Sequence, residues 1–228
     1  MLRQLRKKLN YFIKYFLWDK KLELIAFDKK DSNFIRLMNS IKKKTRIWIY
    51  FDESYNLYHL MKRNLKLSGN IAEVGVADGA SALILAELKK DKKLFLFDTF
   101  EGLDEYKTQT THNIKNYQIN INKINRLFSK FKDVYIHKGI FPKDTSDAIK
   151  NENFSLVHLD VNLYKSTVDC LEYFWPRMVK QGVIILHDYN LDKITKKETP
   201  CMKALNEFVI KNKLLPLELR GNHVCLIK

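Results

Sequence analysis

Glycine and proline are confined to the chain beyond residue 68, and this division constrains the fold more than any other feature of the sequence. All seven glycines and all four prolines lie at or after Gly69 in the 228-residue chain. Because these two residue types mark turns and end regular structure, the first 68 residues are predicted to be rich in helix. From Gly69 onward, short apolar runs alternate with amphipathic segments, a pattern typical of strands alternating with helices.

The apolar runs and the periodic segments define a repeated strand–helix order. The predicted strands are Ile71–Val76, Leu94–Asp98, Val134–His137, Leu156–Asp160 and Val183–His187, followed by a closing pair, Leu215–Leu219 and Val224–Ile227. The predicted helices are Ser81–Lys90, Ile114–Phe131, Asp144–Asn151, Ser166–Val179 and Met202–Lys211. This order predicts an α/β fold with a mostly parallel, seven-stranded, Rossmann-like sheet, an antiparallel edge and helices on both faces.

The amino-terminal part of the chain differs from the rest. Residues 1–18 place leucines and phenylalanines on one helical stripe and lysines and arginines on the other faces. Such a helix could pack on its own domain or on a second copy of the chain, or it could lie on an anionic membrane surface. We therefore expect a basic helical extension over residues 1–50 and one α/β domain over residues 51–228.

The chain is strongly basic, with 41 Lys and Arg against 26 Asp and Glu, a formal net charge of +15. This charge could attract nucleic acid, an anionic membrane or an anionic substrate. Nucleic acid is disfavoured because the lysines are scattered and no RNA-binding module precedes the α/β domain. No apolar run approaches the ~18 residues of a spanning helix. The three widely spaced cysteines indicate a reducing cytoplasm, where a peripheral contact with the inner membrane surface remains open.

A turn rich in small residues follows the first predicted strand. Gly75, Ala77 and Gly79 alternate there, but the spacing is not the G-x-G-x-x-G that holds a pyrophosphate. Acidic Glu73 and Asp78 would repel phosphates and suit a ligand that carries an ammonium or a sulfonium. An acidic residue about 20 positions beyond the turn, Asp98, could accept hydrogen bonds from both ribose hydroxyls. These features indicate S-adenosylmethionine, and the alternative is an ordinary strand–helix turn with a surface aspartate.

Polar residues also follow the fourth and fifth predicted strands. Asp160, Asn162, His187 and Asp188 are expected to meet there, because ligands of open α/β sheets bind at the carboxyl edge. Carboxylates, an imidazole and an amide oxygen could hold Mg²⁺ or Mn²⁺. His158 lies inside an apolar strand and is interpreted as a core histidine.

Taken together, the segments resemble the macrocin O-methyltransferase family, whose members methylate sugar hydroxyls with S-adenosylmethionine. The resemblance covers roughly residues 50–228 and is carried by Ala72–Ala82, Phe97–Leu103, Lys138–Pro142 with Asp144-Thr145, His158–Tyr189 and Met202–Phe208. It implies a class I methyltransferase domain that is frequently oligomeric, here expected to be a homo-oligomer, with a Mg²⁺ site formed by acidic residues.

The resemblance carries residue roles over by position. It implies that Glu73, Gly75 and Ser81 contact the methionine part, that Asp98 holds the ribose, and that the turn after the third strand flanks the adenine with Phe100. The predicted cofactor-binding residues are Glu73, Gly75, Ala77, Asp78, Gly79, Ser81, Asp98, Thr99, Phe100, Gly139, Ile140 and Phe141. The predicted metal ligands are Asp160, His187 and Asp188.

Two positions depart from the family pattern. The family usually has aspartate, proposed as the catalytic base, at the position of Asn162, and aspartate again at the position of His187. An amide cannot accept a proton as a carboxylate does. We therefore predict His187 as the first choice of base and Asp160 as the second, with Asn162 at the reacting end as well.

The sequence thus predicts an S-adenosylmethionine-dependent O-methyltransferase. A bound Mg²⁺ could assist the methyl transfer. The acceptor is expected to be a hydroxyl of a sugar in a glycan, a nucleotide-sugar or a glycosylated natural product, and the positive charge suggests that it is anionic. Two alternatives stay open: a tRNA or rRNA methyltransferase, suggested by the charge, and a non-catalytic partner subunit, suggested by Asn162 and His187.

Overall fold

The computed structural model describes residues 31–102, 118–190 and 197–228. The chain divides into two compact units, Met1–Arg36 and Leu37–Lys228. Of the first unit, the structure describes residues 31–36, where helix α1 begins. The predicted helix over residues 1–18 lies outside the described residues, and the predicted domain boundary after residue 50 stays a prediction.

A seven-stranded sheet forms the centre of the second unit and confirms the predicted fold class. The strands are β1 (Asn70–Val74), β2 (Leu94–Asp98), β3 (Val134–Lys138), β4 (Phe154–Leu159), β5 (Met178–Leu186), β6 (Leu217–Glu218) and β7 (Val224–Ile227). Their order across the sheet is β3-β2-β1-β4-β5-β7-β6. The first five pair in parallel, whereas β7 runs antiparallel to both β5 and β6. The two closing strands therefore form the antiparallel edge that the sequence predicts.

The helices within the described residues mostly follow the predicted order. They are α1 (Ser32–Lys42), α2 (Phe51–Asn64), α3 (Ala80–Leu88), α4 (Ile121–Phe128), α5 (Tyr164–Phe174) and α6 (Pro200–Asn212), with 3₁₀ turns at Ser146–Ile149 and Trp175–Arg177. The start of the predicted helix Ile114–Phe131 lies outside the described residues.

Two predicted helices are wrong in extent. The predicted helix Asp144–Asn151 is only the short turn Ser146–Ile149. The predicted helix Ser166–Val179 begins earlier and ends at Phe174, because Pro176 cannot donate the backbone hydrogen bond that continues a helix. Strand β5 then starts at Met178, five residues before the predicted start.

The two faces of the sheet carry different side chains. On one face, alternate strand residues such as Val157 and Ile184 form an apolar core with Leu171 and Phe174 of α5 and Leu205 of α6. The residues between them point to the opposite face, since successive side chains of a strand alternate.

Helix α2 lies on that opposite face. Its Asn64 side chain donates to the carbonyl of Ser155 in β4, with 2.6 Å between nitrogen and oxygen. The same face carries Glu73 of β1, His158 of β4 and His187 at the end of β5, so the sequence directs a set of ionisable side chains toward α2.

Gly79 allows the turn after β1 to enter helix α3. It has a φ of +83°, and a Cβ built there would lie 3.1 Å from Leu127 Cδ2 and 3.2 Å from Phe128 Cε2 of α4. Gly79→Ala is therefore expected to lower the free energy of unfolding by about 1–2 kcal/mol, because a left-handed conformation costs any residue with a Cβ.

Urea denaturation of the wild type and the variant measures this difference. The control is the reverse change, Ala77→Gly. Ala77 has a φ of +44°, so replacing it with glycine removes the strain that Gly79→Ala would introduce. We expect that variant to be at least as stable as the wild type. A Gly79→Ala variant as stable as the wild type would contradict the left-handed turn.

Candidate active site

A cavity of about 290 Å³ opens at the carboxyl ends of β1, β2, β4 and β5. Ligands of open α/β sheets bind at this edge, near the point where the strand order reverses. From β1 the chain adds β2 and β3 on one side of the sheet and then β4 and β5 on the other. The strand order therefore reverses between β1 and β4, which is where the cavity opens. Its walls include Trp48, Tyr50, Val74, Gly75, Ala77, Phe97, Asp98, Thr99, Gly102, Gly139, Ile140, Phe141, Asp160, Val161, Asn162, Leu163, Ser166, His187, Asp188 and Asn222.

The backbone is strained where each of these four strands ends. Ala77, Phe100, Asn162 and Asp188 follow β1, β2, β4 and β5, and their φ angles lie between +44° and +59°. Such conformations cost a residue with a Cβ on the order of 1–3 kcal/mol and concentrate at functional sites. Three of these residues, Ala77, Asn162 and Asp188, line the cavity, which supports a functional role for this edge of the sheet.

The close approach of β1 and β4 positions Asp160. A Cβ built on Gly75 would lie 1.9 Å from the carbonyl oxygen of Asp160, so only glycine leaves room for that backbone. The backbone N–H of Asp160 donates to the carbonyl of Val74, with 2.9 Å between nitrogen and oxygen. The Asp160 side chain is thereby held at the cavity wall by two neighbouring strands.

The carboxylate of Asp98 organises the turn after β1. Its Oδ2 accepts the backbone N–H groups of Val76 and Ala77, at 2.7 and 2.9 Å, and its Oδ1 accepts that of Phe100 at 2.7 Å. Burial raises the pKa of Asp98, and these three hydrogen bonds offset the burial only in part. Asp98 thus joins the β1 and β2 turns at the position predicted for ribose binding.

The predicted cofactor-binding residues fall into two groups. The cavity is lined by Gly75, Ala77, Asp98, Thr99, Gly139, Ile140 and Phe141. The remaining five, Glu73, Asp78, Gly79, Ser81 and Phe100, are not among its lining residues. Their proposed contacts with a cofactor stay predictions, and two of them have other partners in the structure.

Asp78 is engaged by two side chains from other segments. Its Oδ2 accepts the indole N–H of Trp48 at 2.9 Å, and its Oδ1 lies 2.7 Å from the ammonium of Lys123. Trp48 lies in a stretch, residues 46–50, that forms neither helix nor strand. Through Trp48 and Tyr50, this stretch supplies part of the cavity wall.

Glu73 is paired within the core. It stands opposite His158 in the pairing of β1 with β4, and Glu73 Oε1 lies 2.8 Å from His158 Nδ1 with both side chains fully buried. Burial raises the pKa of Glu73 against the opposing effect of His158. The interpretation of His158 as a core histidine is confirmed.

His187 lies between two carboxylates. Its Nδ1 is 3.1 Å from Asp160 Oδ1, and its Nε2 is 2.9 Å from Glu53 Oε2. Burial alone would lower the pKa of His187, but Asp160 and Glu53 outweigh the burial and raise the pKa to about 12. In turn, burial would raise the pKa of Asp160, and the charge of His187 outweighs it and lowers that pKa.

This arrangement bears on the two predicted roles of His187. A carboxylate beside each ring nitrogen raises the pKa of His187 and so favours the protonated imidazole, which has no lone pair with which to accept a proton. For the same reason, its Nδ1 presents a proton and not a lone pair to the space beside Asp160. The identity of the base stays a prediction, and the raised pKa of His187 suits it less to that role than Asp160.

The remaining predicted metal ligands have suitable chemistry. A ligand atom of Asp160, one of His187 and one of Asp188 all lie within 4.8 Å of one another. The carboxylates of Asp160 and Asp188 are the hard oxygen donors that Mg²⁺ uses in proteins, usually one or two together with substrate and water. They fit a divalent cation without the imidazole of His187.

Glu53 and His223 were missed in the sequence. Glu53 is in the first turn of α2, and its Oε2 accepts the backbone N–H of Tyr50, the residue before the helix, at 2.8 Å, so this carboxylate helps to cap the helix. His223 precedes β7 and is buried; burial lowers its pKa well below its usual value. Neither residue lies in a recognisable motif, and only folding brings them beside His187.

None of the helices in the described ranges 31–102, 118–190 and 197–228 is long and apolar enough to cross a membrane.

Comparisons with known proteins agree with this architecture. A protein-family model described as Macrocin-O-methyltransferase (TylF) matches residues 57–218. In three dimensions, the O-methyltransferase NovP superposes with a TM-score of 0.64 at 18% identity, over 76% of this chain and 78% of NovP. That likeness confirms the class I methyltransferase fold.

Two curated relatives are similar in sequence. Mycinamicin III 3''-O-methyltransferase of Micromonospora griseorubida is 23% identical over 175 residues, 67% of this chain and 66% of the relative. The 8-demethyl-8-(2,3-dimethoxy-alpha-L-rhamnosyl)-tetracenomycin-C 4'-O-methyltransferase of Streptomyces olivaceus is 25% identical over 142 residues, 54% of this chain and 54% of the relative. The matches thus span less than two thirds of either relative.

Proposed function

The chain belongs to the macrocin O-methyltransferase family, and we propose that it transfers the methyl group of S-adenosylmethionine to a hydroxyl group of a sugar. One observation carries the proposal beyond family membership. Asp98, at the position predicted for the ribose, and Asp160, at the predicted reacting end, line the same cavity at the carboxyl edge of the sheet.

The cofactor would lie across the ends of β1 and β2. The hydroxyls of its ribose would donate to Asp98, whose two oxygens are already oriented by three backbone N–H groups. Its adenine would lie against Ile140 and Phe141, which are apolar cavity residues after β3. The acidic character of the site suits a ligand that carries a positive sulfonium.

The acceptor would occupy the part of the cavity between Asp160 and Tyr50. The names of both curated relatives describe O-methyl transfer, and one of them names a rhamnosyl group in its substrate. A sugar fits a wall that combines aromatic and polar groups, here Trp48 and Tyr50 together with Asn162 and Ser166. The identity of the sugar, and of the molecule that bears it, is part of this proposal.

The chemical step is an in-line displacement. The acceptor oxygen forms a bond to the methyl carbon while the bond from that carbon to sulfur breaks, and S-adenosylhomocysteine leaves. Holding the two groups in line can contribute up to about 7–11 kcal/mol to the acceleration. As the new bond forms, the oxygen becomes positive and its proton becomes strongly acidic.

Asp160 is the proposed acceptor of that proton. The charge of His187 lowers the pKa of Asp160 and keeps it ionised, which is adequate because the hydroxyl proton turns acidic during the transfer. His187 is then a positioning residue that holds the carboxylate through Nδ1, at 3.1 Å.

The proposal includes a divalent cation that would assist the transfer. Asp160 and Asp188 would hold it, and the cation would lower the pKa of the acceptor hydroxyl. Chelation tests this point: if EDTA leaves the rate of transfer unchanged and added Mg²⁺ does not raise it, the cation is not needed.

Transfer of a labelled methyl group tests the proposed function. The protein is incubated with methyl-labelled S-adenosylmethionine and a panel of acceptors that contains rhamnosides, nucleotide-linked deoxysugars and tRNA. We expect label in a sugar-bearing acceptor only. Label in tRNA, with an association that weakens steeply as salt rises, would instead support the nucleic-acid alternative.

A further inference from the structure

A second group of candidate metal ligands lies behind the cavity wall, where α2 meets the ends of β5 and β7. It consists of Glu53, His187 and His223, which are 0%, 9% and 1% exposed. One ligand atom from each residue lies within 4.8 Å of the other two. We call these three residues the His–Glu cluster.

His223 points to a missing partner. Neither of its ring nitrogens has a hydrogen-bond partner among the residues that the structure describes. Its nearest aromatic neighbours, His187 and His158, meet it edge-on, with ring centroids 4.9 and 5.7 Å away. A buried polar group without a partner costs about 1–3 kcal/mol. A proton shared between His187 and Glu53 would satisfy those two residues but would leave His223 unpaired.

The other two members are oriented in the way that metal ligands usually are. Glu53 accepts two backbone N–H groups, from Tyr50 at 2.8 Å on Oε2 and from Asn222 at 3.0 Å on Oε1. His187 Nδ1 lies 3.1 Å from Asp160 Oδ1 and its Nε2 lies 2.9 Å from Glu53 Oε2, two close approaches that do not meet hydrogen-bond geometry. Metal-binding histidines almost always donate their second N–H to such an acceptor.

We propose that Glu53, His187 through Nε2, and His223 bind one divalent transition-metal ion of the Zn²⁺ type. Two imidazoles and one carboxylate are a known ligand set for Zn²⁺ and a poor one for Mg²⁺. Ligands about 2.0–2.1 Å from a tetrahedral ion lie roughly 3.4 Å apart. The cluster, with 2.9 Å between His187 Nε2 and Glu53 Oε2 and no separation above 4.8 Å, needs only small side-chain movements.

Binding of the ion displaces one proton from the cluster. The ion replaces the proton on His187 Nε2, which leaves for the solvent, and no oxidation or reduction takes place. His187 keeps its N–H toward Asp160, so its proposed positioning role is unchanged. The ion also gives His223 the partner that it lacks.

The site would stiffen the wall of the cavity. It would tie the first turn of α2 to the β5 end and to the turn before β7. Tyr50 and Asn222, whose N–H groups orient Glu53, both line the cavity. The proposal is separate from the cation at Asp160 and Asp188, which would lie on the cavity side of His187.

Metal binding by the full-length protein tests the inference directly. Protein stripped with EDTA and dialysed is titrated with Co²⁺, whose visible spectrum reports nitrogen and oxygen ligands, and with Zn²⁺ in competition with a coloured chelator. We expect one tight equivalent in the wild type. His223→Gln and Glu53→Gln should each weaken Zn²⁺ binding by roughly 100-fold or more.

Asp188→Asn is the matched control, since it removes a carboxylate from the cavity-side group and leaves the His–Glu cluster intact. It should bind Zn²⁺ as tightly as the wild type. Thermal melting checks folding, and Zn²⁺ should raise the melting temperature of the wild type and of Asp188→Asn but not of His223→Gln.

Two results would overturn the proposal. One is wild-type affinity for Zn²⁺ in both His223→Gln and Glu53→Gln. The other is a tight equivalent that disappears in Asp188→Asn, which would place the ion on the cavity side. Because neither readout uses methyl transfer, they do not depend on the proposed function.

Discussion

Asp160→Asn is expected to lower kcat/KM for methyl transfer by about 10³-fold, within the range of 10²–10⁴ that a positioned proton acceptor contributes. The amide has nearly the shape of the carboxylate but cannot accept the proton of the acceptor hydroxyl, and it is a weaker ligand for a cation. The affinity for S-adenosylmethionine should change little, because Asp98 and the turn after β1 are untouched. Steady-state kinetics and a calorimetric titration measure the two quantities.

A matched control separates this effect from a loss of negative charge. Asp169→Asn removes a carboxylate from the exposed face of α5, where Asp169 pairs with Lys165 at 2.5 Å between the charged atoms. Its kcat/KM should equal that of the wild type. Retention of full transfer by a folded Asp160→Asn protein would remove Asp160 from the mechanism.

Asp98→Ala is expected to weaken the binding of S-adenosylmethionine by about 100-fold. The substitution removes the proposed acceptor of the ribose hydroxyls and leaves the backbone N–H groups of Val76, Ala77 and Phe100 without their common partner. Hydrogen bonds to a charged group are worth about 1.5–3 kcal/mol each, so the loss of one or two accounts for this factor. The dissociation constant from calorimetry is the measurement.

Asp91→Ala provides the comparison for this variant. Asp91 is exposed and precedes the same strand, β2, at its opposite end, away from the cavity. That variant should bind the cofactor like the wild type. An Asp98→Ala protein with unaltered affinity would show that the carboxylate neither contacts the ribose nor holds the turn that does.

Much of the fold could be predicted because the parallel strands are largely apolar and polar residues stand at or just beyond their carboxyl ends. Strand Leu94–Asp98 has its predicted bounds, and the predicted closing pair occurs as Leu217–Glu218 and Val224–Ile227. Helix ends were less predictable. The apolar pattern around Trp175 continues through Pro176 into β5, so hydrophobicity alone does not show where one element ends.

The candidate site was predictable only where its residues directly follow strands. Asp98 ends β2, Asp160 and Asp188 come within two residues of the ends of β4 and β5, and the structure places all three at one cavity. Glu53 and His223 could not be found in this way, because they are far from His187 in sequence and meet it only through the packing of α2 and β7 against β5. Their presence changes the reading of His187 from a free imidazole to one with a second carboxylate, Glu53, and a second imidazole, His223, beside it.

The central claim is that the cavity at the carboxyl edge binds S-adenosylmethionine for methyl transfer, and calorimetric titration of the wild-type protein with this cofactor tests it most directly. The account predicts saturable binding of one molecule per chain, and competition by S-adenosylhomocysteine. Absence of saturable binding by the folded protein would contradict the account and would support the non-catalytic alternative.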